Sequence, residues 1–280
     1  MKHALLIIAH HEFEILKTLV SLLDDVRNDI FIHIDKKVKE IPEINTKHSK
    51  LYFVSDSNRI DVRWGNVSQI ESEFALFELA NTTGTYEYYH LISGVHLPLV
   101  NQDEYHSFFK SVSGKQIFSQ IISSESELEQ KGNRMNLCMK NFQKSKYAQI
   151  SWRIGIMAQN FFRCRINKDR KFIKASNWVS ITIEAVDYII SRKNNILKRY
   201  RYSMCGDELF IPTELKYSNK EWKILYSEKL LYQDIGSANA SFLSEEDVEK
   251  AISLNFLFGR KFSSNDIKVV NQVVEKVKSK

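Results

Sequence analysis

The chain has 280 residues, of which 43% are hydrophobic and 26% are charged, and its formal net charge is +6. This composition is ordinary for a soluble globular protein, and no repeat or low-complexity segment stands out. Single hydrophobic cores stop growing near about 250 to 300 residues. We therefore expect one domain over residues 1–280.

Two further observations exclude classes of protein. No stretch approaches the roughly 18 uninterrupted apolar residues of a membrane span, and the first strand begins at once, without a basic stretch and a cleavage site. We therefore expect a cytoplasmic protein. Cys138, Cys164 and Cys205 lack Cys-x-x-Cys spacing, which argues against a disulfide framework or a structural zinc site and favours buried thiols.

The first 35 residues indicate a βαβ unit. Ala4–Ala9 and Ile30–Ile34 are short, nearly continuous apolar runs, as expected of strands buried on both faces of a parallel sheet. The segment between them repeats its apolar residues at helical spacing. Ligands of such sheets bind at the carboxyl ends of the strands. The polar residues expected there are His10, His11, His33 and Asp35.

These strand ends lack the usual means of holding phosphate. No glycine-rich turn is present to cradle a pyrophosphate, so other groups must hold one. Asp-x-Asp, the spacing with which most nucleotide-sugar enzymes with an α/β core hold a divalent cation, is absent from the whole chain. Successive strand residues point to opposite faces, which argues against a metal shared by His10 and His11. We expect one of them to form hydrogen bonds in the site and the other to be packed.

The following elements extend the pattern. Leu51–Val54 is predicted as a third strand, Val67–Leu79 as a helix and Tyr88–Ile92 as a fourth strand. The glutamates expected away from the apolar face of this helix are Glu71, Glu73 and Glu78. The order strand, helix, strand, strand, helix, strand predicts a doubly wound α/β core.

The middle of the chain differs from what precedes it. Residues 123–171 lack strand alternation, and we predict a basic helical insertion over residues 123–174 that lies over the sheet or against a surface. From Lys131 to Lys174 the chain has twelve basic residues and one acidic residue, Asp169. Such a block implies an anionic partner: nucleic acid, an anionic lipid surface or a phosphorylated acceptor. A solvated basic face is the alternative.

The last third of the chain returns to mixed structure. Trp178–Ile181 is predicted as a short strand and Glu184–Ser191 as a helix. A further helix is predicted to begin at Asp207 and run to Glu214, because acidic residues favour the first turn of a helix. The valine pattern of Ile267–Lys280 predicts a C-terminal helix.

Two short motifs could carry chemistry. Asp207 and Glu208 follow a flexible Gly206, and a carboxylate at the lip of a cleft can remove a proton from a hydroxyl nucleophile. The alternative is that both acids only stabilise a helix N-terminus. Arg260 and Lys261 offer a planar fork and a point charge, a combination that suits a diphosphate. The alternative is a solvated pair at the end of a helix.

Taken in order, the motifs of this chain resemble a known family. The segments that carry the resemblance are 3–11, 32–35, 62–65, 90–98, 176–178, 206–208 and 257–262. They occur in the order found in the core-2/I-branching N-acetylglucosaminyltransferases and peptide O-xylosyltransferases, glycosyltransferase family 14. The match extends over roughly the whole chain and is weakest across residues 123–174.

The resemblance implies a GT-A-like fold with a doubly wound, mostly parallel sheet, in which residues 1–122 form the nucleotide-binding half and residues 175–280 the acceptor and catalytic half. It also implies a UDP-sugar donor, with GlcNAc or xylose as the sugar, inversion at the anomeric carbon, and no metal or other cofactor. Glu208 matches the general base of the family. The residues expected at the donor are His10, His11, Asp35, Arg63, Trp64, Arg260 and Lys261. Those expected at the acceptor are Ser93, Gly94, Arg134, Asn177, Trp178 and Asp207.

Animal members of this family are membrane-anchored and disulfide-bonded, and neither feature is seen in this sequence. We therefore expect a bacterial enzyme of surface polysaccharide synthesis, located in the cytoplasm or peripherally at the inner face of the membrane. Its acceptor is expected to be a glycan or a lipid-linked oligosaccharide. The basic block fits contact with an anionic membrane, and nucleic acid is not an expected partner.

Two other functions compete with this one. An RNA-binding protein could use the basic block together with stacking side chains, namely Tyr147, Trp152, Phe161 and Phe162. That hypothesis leaves the polar strand ends and the Gly206-Asp207-Glu208 motif unexplained. A UDP-sugar-binding protein without activity is the other alternative.

Overall fold

The computed structural model describes residues 2–234 and 240–278, and of Gln120 the backbone alone. Within these residues a seven-stranded central sheet is accompanied by a second sheet of three short strands. The central strands are β1 (His3–Ala9), β2 (Asn28–Ile34), β3 (Lys50–Phe53), β4 (Tyr88–Ser93), β6 (Gln116–Gln120), β7 (Ala175–Thr182) and β8 (Ile224–Tyr226). The strands of the second sheet are β5 (His96–Pro98), β9 (Leu231–Gln233) and β10 (Phe258–Arg260).

Helices cover both faces of the central sheet. They are α1 (Phe13–Leu23), α2 (Ser68–Thr83), α3 (Gln102–Ser111), α4 (Glu125–Gly132), α5 (Lys146–Phe161), α6 (Ile183–Ser191), α7 (Lys193–Tyr200), α8 (Phe210–Lys216), α9 (Glu245–Ser253) and α10 (Ile267–Lys278). None of the helices in the described ranges combines the length and the apolar character that a bilayer crossing requires.

The central sheet confirms the predicted doubly wound α/β class. Its strand order is β3-β2-β1-β4-β7-β6-β8. Strand β1 pairs in parallel with β2 on one side and with β4 on the other, so the strand order reverses at β1. Strand β7 runs antiparallel to β4 and β6, which makes the sheet mixed but mostly parallel. Such a reversal point is where open α/β sheets bind their ligands.

The alternating side chains of β1 enter two separate cores. Leu5 and Ile7 pack in a cluster that includes residues of α1, α3, α9 and α10. Leu6 packs on the other face, in a cluster with residues of α2, α6, α7 and α8. Both faces of the strand are thus removed from water, which explains why its sequence is apolar throughout rather than alternating.

Helix α2 is covered on more sides than its sequence indicates. Glu73 is 1% exposed, so the expectation that it lies off the packed face is wrong. The helix contacts β1 and β2 with one side, and α6 and the turn Gly206–Glu208 with others. A residue away from the sheet is therefore still buried, because a second layer of structure covers it.

Other element bounds also differ from the predicted ones. A short 3₁₀ turn occupies Gly206–Glu208, and α8 begins only at Phe210, so the two acids do not start an α-helix. The insertion is helical in α4 and α5 but not throughout. The C-terminal helix is described to Lys278, and the last two residues lie outside the described part. Of the three free cysteines, Cys205 is buried, whereas Cys138 and Cys164 are exposed, contrary to expectation.

The second sheet brings the C-terminal part of the chain to the carboxyl end of β4. Strand β5 follows β4 directly, and β10 pairs with β5 so that Arg260 lies opposite His96. The Phe262 N–H donates to the carbonyl of Val95 at 3.1 Å, and the side chain of Phe262 is buried. A tail segment more than 150 residues distant in sequence is thereby held against the reversal point.

Gly94 is required by the close approach of two chain segments. A Cβ atom at this position would lie 2.7 Å from the Cβ of Ala9, at the end of β1. We expect Gly94→Ala to lower the free energy of unfolding by about 1 to 3 kcal/mol, as overpacking does. Urea denaturation measures this change.

Gly155→Ala is the matched control. Its new methyl group would have no atom within 4 Å apart from its chain neighbours and the backbone of its own helix, and the residue lies inside α5. We expect this variant to be more stable by about 0.5 to 1 kcal/mol, because alanine favours a helix interior. Equal stability changes in the two variants would contradict the packing role of Gly94.

Candidate active site

Two histidine rings lie side by side just beyond the end of β1. The strand ends at Ala9, and the rings of His10 and His11 stack with centroids 4.1 Å apart and planes 22° apart. Both residues are exposed, so the expectation that one of them is packed is wrong. Strand alternation does not extend past Ala9, which allows both rings to turn to the same side.

The end of β2 supplies a carboxylate beside these rings. The Asp35 N–H donates to the carbonyl of Ala9 at 2.9 Å, which joins the two strand ends. The Asp35 side chain is buried, and its Oδ2 forms an ion pair with Lys37 Nζ at 2.8 Å. The same Nζ lies 3.1 Å from Asp61 Oδ1. Lys37 is a site residue that sequence reasoning missed, because only its contact with Asp35 reveals it.

The charged groups that shift the pKa of His10 show which side chains lie near its ring. Partial burial lowers the pKa of His10 although its ring keeps contact with solvent, and the neighbouring His11 lowers it further. The negative charge of Asp35 opposes this shift, whereas Lys37 and Lys261 add to it. The ends of β1 and β2 and the C-terminal tail therefore share one electrostatic environment.

His33 does not belong to this site. It is fully buried, and its Nε2 accepts the backbone N–H of Ile60 at 2.9 Å. Burial lowers the pKa of His33 to about 4, so the ring is neutral and able to accept that bond. The expectation that it contacts a ligand is wrong, because its side chain fastens the loop after β3 to the sheet.

Arg260 is a half-buried cation with an unsatisfied donor. Its guanidinium lies 5.2 Å from the ring centroid of Trp178, and it donates to Gln233 Oε1 at 3.3 Å. Within the described residues, the Arg260 Nε has no hydrogen-bond partner. Burial lowers the pKa of Arg260 to about 10, and the pKa of Lys261 is lowered by burial and by Arg260. Two partly desolvated cations side by side favour an anionic ligand.

The tail that carries these cations is fixed by Glu12. This residue has a left-handed backbone, with φ 54°, directly before α1. Its carboxylate accepts hydrogen bonds from the Ser263 hydroxyl at 3.0 Å and from the Ser264 N–H at 2.8 Å. These bonds lower the pKa of Glu12 and keep it ionised. Sequence reasoning missed Glu12, because its partners lie about 250 residues away.

Most of the predicted acceptor residues around β4 have internal contacts. The Ser93 hydroxyl lies 2.7 Å from His96 Nδ1, and the buried ring of His96 packs edge-on against Trp178 at 5.1 Å. Gly94 is buried against Ala9, which gives it a packing role in place of the expected acceptor contact. Asn177 is half-buried, as is Trp178. The Trp178 ring thus contacts both His96 and the Arg260 guanidinium.

Glu208 is held by two lysines of the insertion. Its Oε2 lies 3.1 Å from Lys131 Nζ and 3.5 Å from Lys174 Nζ. Glu127 contacts the same two ammonium groups, at 3.0 and 2.8 Å. The two lysines and two glutamates form a cluster whose charges cancel, and the Glu208 side chain in it remains 27% exposed. Lys174 precedes β7 directly, and its backbone is separated from that of Trp178 by four residues, about 13 Å of extended chain.

Asp207 is connected to the Arg63-Trp64-Gly65 loop through Gln69. Asp207 Oδ2 accepts the side-chain amide of Gln69 at 2.8 Å, and the amide oxygen of Gln69 accepts the N–H of Gly65. The Cys205 N–H also donates to the Gly65 carbonyl at 3.1 Å. Asp207 is 5% exposed, and its contacts position the turn.

The environment of Asp207 is unusually unfavourable to charge. Burial and the neighbouring Glu208 raise the pKa of Asp207 to about 7. Burial and the charge of Asp207 also raise the pKa of Glu73. One oxygen of each carboxyl, Asp207 Oδ1 and Glu73 Oε2, lacks a hydrogen-bond partner among the described residues.

A cavity of about 690 Å³ is lined by Arg63 but not by the adjacent Trp64. Arg63 lines the cavity and pairs with Asp61, whereas Trp64 stacks on Phe142 of the insertion with centroids 5.8 Å apart. The other predicted site residues do not line this cavity. Further lining residues are Lys36, Asn66, Cys138, Lys140, Arg201 and Tyr202. The cavity therefore adjoins the site between the loop and the insertion.

Arg134 lies within the insertion itself. Its side chain is 10% exposed, pairs with Glu129 at 2.6 Å and donates to Asn160 at 2.9 Å. These bonds join α4 to α5, and the Arg134 Nη1 has no hydrogen-bond partner among the described residues. Among residues 2–234 and 240–278, no group of three His, Cys, Asp or Glu side chains is arranged to hold a metal ion.

Comparisons with known proteins give a family match. The model of the family described as Branch: Core-2/I-Branching enzyme matches residues 4–234. No curated protein matches the chain.

Several solved structures are similar to the chain. Mouse xyloside xylosyltransferase 1 in its apo form is 11% identical, over 92% of this chain and 96% of that one, with a TM-score of 0.41. The 4-diphosphocytidyl-2C-methyl-D-erythritol synthase of Anaerococcus prevotii is 10% identical, over 90% and 98% of the two chains, with a TM-score of 0.38. Mannose-6-phosphate isomerase of Helicobacter pylori is 12% identical, over 71% and 78%, with a TM-score of 0.33. These values are too low to indicate a shared function.

The raised pKa of Asp207 predicts a dependence of stability on pH. Between the ordinary value of 3.8 and about 7, the folded chain retains a proton that the unfolded chain has lost. The free energy of unfolding should therefore fall as pH rises through this window. We expect Asp207→Asn to make this fall shallower in urea denaturation at several pH values, with the part due to Glu73 remaining. An unchanged slope would contradict the assignment.

Proposed function

The chain belongs to the core-2/I-branching enzyme family of glycosyltransferases, and from this premise we propose that it transfers a sugar from a UDP-sugar to a hydroxyl group of a glycan acceptor. We propose further that the reaction inverts the anomeric carbon and requires no metal ion. GlcNAc and xylose are the proposed donor sugars.

The observation that carries this proposal is the pair of partly desolvated cations beside the strand ends. Arg260 has an unsatisfied Nε, and Lys261 lies close enough to His10 to lower its pKa. Their positive charge suits the diphosphate of a nucleotide sugar, which gains most from donors that are already oriented and shielded from water. Cationic side chains thus take the part that a metal ion takes in enzymes with Asp-x-Asp.

The nucleoside is proposed to bind at the ends of β1 and β2. The stacked rings of His10 and His11 offer a flat, exposed surface, and Asp35 with Lys37 offers polar groups in the same place. This is the carboxyl edge at the reversal point of the sheet, where mononucleotides bind in open α/β folds. The donor sugar would then extend from Lys261 toward Trp178.

Glu208 is proposed as the general base. As the acceptor oxygen attacks the anomeric carbon, its proton passes to the Glu208 carboxylate, and the bond from that carbon to the UDP oxygen breaks with its electron pair. Negative charge accumulates on the departing diphosphate, where Arg260 and Lys261 stabilise it. Lys131 and Lys174 hold the Glu208 carboxylate in place, which makes them positioning residues.

The proposed setting is the synthesis of a surface polysaccharide in a bacterium. It is supported by the three free cysteines, since animal members of this family are disulfide-bonded. The acceptor is proposed to approach past Trp64, where the cavity beside the insertion provides room for further sugar units.

Replacing the base tests the mechanism. We expect Glu208→Gln to bind the UDP-sugar nearly as well as the wild type and to lower turnover by roughly 10² to 10⁴, because a positioned base supplies that much. Turnover is measured as UDP release in the presence of acceptor. Binding of UDP is measured by calorimetry.

Glu127→Gln is the matched control, since it removes the same charge from the same lysine cluster. We expect its turnover to fall by less than about 10-fold, because Glu127 only shares the two lysines with Glu208. Comparable losses in both variants would indicate that the cluster acts through structure alone.

Replacing a tail cation tests the diphosphate site. We expect Lys261→Met to weaken UDP binding and kcat/KM by about 10- to 100-fold, the usual effect of one charge-assisted contact. Lys268→Met removes the same charge from an exposed position on α10 and should leave both unchanged. EDTA should not alter the rate for any UDP-sugar in a panel. Activity lost in EDTA and restored by a divalent cation would refute the metal-independent mechanism.

A further inference from the structure

Helix α5 exposes a continuous apolar stripe. Its members, spaced three or four residues apart, are Tyr147, Ile150, Ile154, Met157 and Phe161. They are 84, 52, 62, 70 and 81% exposed, respectively. The neighbouring Phe162 is 71% exposed. Soluble proteins rarely expose so large a contiguous apolar surface unless it binds something.

This stripe is not the packed side of the helix. Ala148 and Ile156 are buried on the opposite face, where Trp152 donates to Asn136 Oδ1 at 2.8 Å. Residues 148, 152 and 156 are also three to four residues apart, so the helix has a second apolar face that meets the protein. Folding of the chain therefore does not need the outer stripe.

Positive charge surrounds the stripe. The exposed cations nearest to it along the chain are Lys144, Lys146, Arg153, Arg163 and Lys168. None of the ion pairs formed by residues 2–234 and 240–278 includes these five side chains, whereas Lys131, Lys174 and Arg134 of the same block are paired internally. The positive charge that is not paired within the protein is thus concentrated beside the exposed apolar side chains of α5.

We propose that α5 docks on an anionic lipid surface, with its stripe in the headgroup region and its cations against the lipid phosphates. A helix with aromatic and aliphatic residues on one side and Lys and Arg beside them lies in the interface plane, with its apolar face about 5 to 10 Å deep. The flanking positive charge selects a negatively charged membrane over a second copy of this equally basic helix. This inference goes beyond the proposed reaction, and neither depends on the other.

Docking of α5 would also orient the candidate active site. Phe142 packs edge-on against Trp152 at 5.3 Å and stacks on Trp64 at 5.8 Å. One aromatic ring thus joins α5 to the Arg63-Trp64-Gly65 loop. The same insertion provides Lys131 and Lys174 to Glu208. An acceptor carried at the membrane surface would meet the site in a fixed orientation.

Cosedimentation with lipid vesicles tests the proposal. The full chain is mixed with vesicles of phosphatidylcholine alone or of phosphatidylcholine with phosphatidylglycerol, at about 0.1 M and 1 M salt, where the Debye length falls from about 10 to 3 Å. We expect binding to the anionic vesicles at low salt, a large loss at high salt, and little binding to phosphatidylcholine alone.

Two variants separate the stripe from the charge. Ile154→Glu combined with Met157→Glu should weaken binding to anionic vesicles by at least about 10-fold, because the apolar face no longer inserts. Lys144→Gln combined with Lys146→Gln should weaken it by about five-fold for each cation removed. The matched controls are Ile267→Glu and Lys110→Gln, exposed residues of α10 and α3, two helices that pack in a core cluster without any residue of α5, and both should bind as the wild type does.

Several results would overturn the proposal. These are the absence of salt-sensitive binding to anionic vesicles, or wild-type binding by the stripe variant. A third is a wild-type chain that binds no vesicles but self-associates or binds RNA, if the stripe variant abolishes that self-association or RNA binding. UDP release with a water-soluble acceptor is measured in parallel on the stripe variant, and we expect it to equal that of the wild type. Failure of vesicle binding with intact UDP release refutes docking alone, whereas failure of UDP release in the wild type refutes the proposed function alone.

Discussion

The site depends on one constraint, the parallel pairing of β1 with a strand on each side. The carbonyl of Ala9 accepts the N–H of Asp35, and the carbonyl of Ile8 accepts the N–H of Gly94, both at 2.9 Å. Two segments that leave neighbouring strands are thus bonded to the end of a third. Every group that follows these strands is confined to the same edge of the sheet, and Gly94 permits the close approach.

The candidate site contains two groups of charged side chains, one neutral overall and one positively charged. Around Glu208, two lysines and two glutamates balance one another, and the cluster needs no ligand for neutrality. Around Arg260 and Lys261 the positive charge is partly desolvated and lacks such compensation. A buried donor without an acceptor is costly, and an anion with several oxygens relieves that cost. The structure therefore provides one place for a stable carboxylate and another for a charged ligand.

The insertion relates these systems to the molecular surface. Its inner side contacts the turn that bears Glu208 through Lys131 and the Arg63-Trp64-Gly65 loop through Phe142, whereas the outer side of α5 is apolar and basic. Such a segment cannot be removed without loss of both contacts. The insertion therefore links the candidate site to the outer stripe of α5.

The buried carboxyl of Asp207 lowers the stability of the folded chain. Its carboxyl is buried beside Glu73, which is also buried, and the two repel each other when ionised. Gln69 supplies the one side-chain hydrogen bond that Asp207 receives from α2 and passes the contact on to Gly65. The bonds that fix the turn bearing Glu208 are therefore gained at some expense of stability, as is common for groups that serve a site.

Local pattern determined much of this protein. Apolar runs of β1 and β2 predicted the βαβ unit, and the order of the motifs predicted the family, because strand and helix periodicity and short motifs are properties of adjacent residues. Tertiary structure alone decided that His33 is a packing residue while Asp35 pairs with Lys37, and that Glu12 fixes the tail. Such outcomes rest on contacts between segments far apart in the chain. The solvent exposure and charge of a side chain depend on those contacts, which no local period of the sequence encodes.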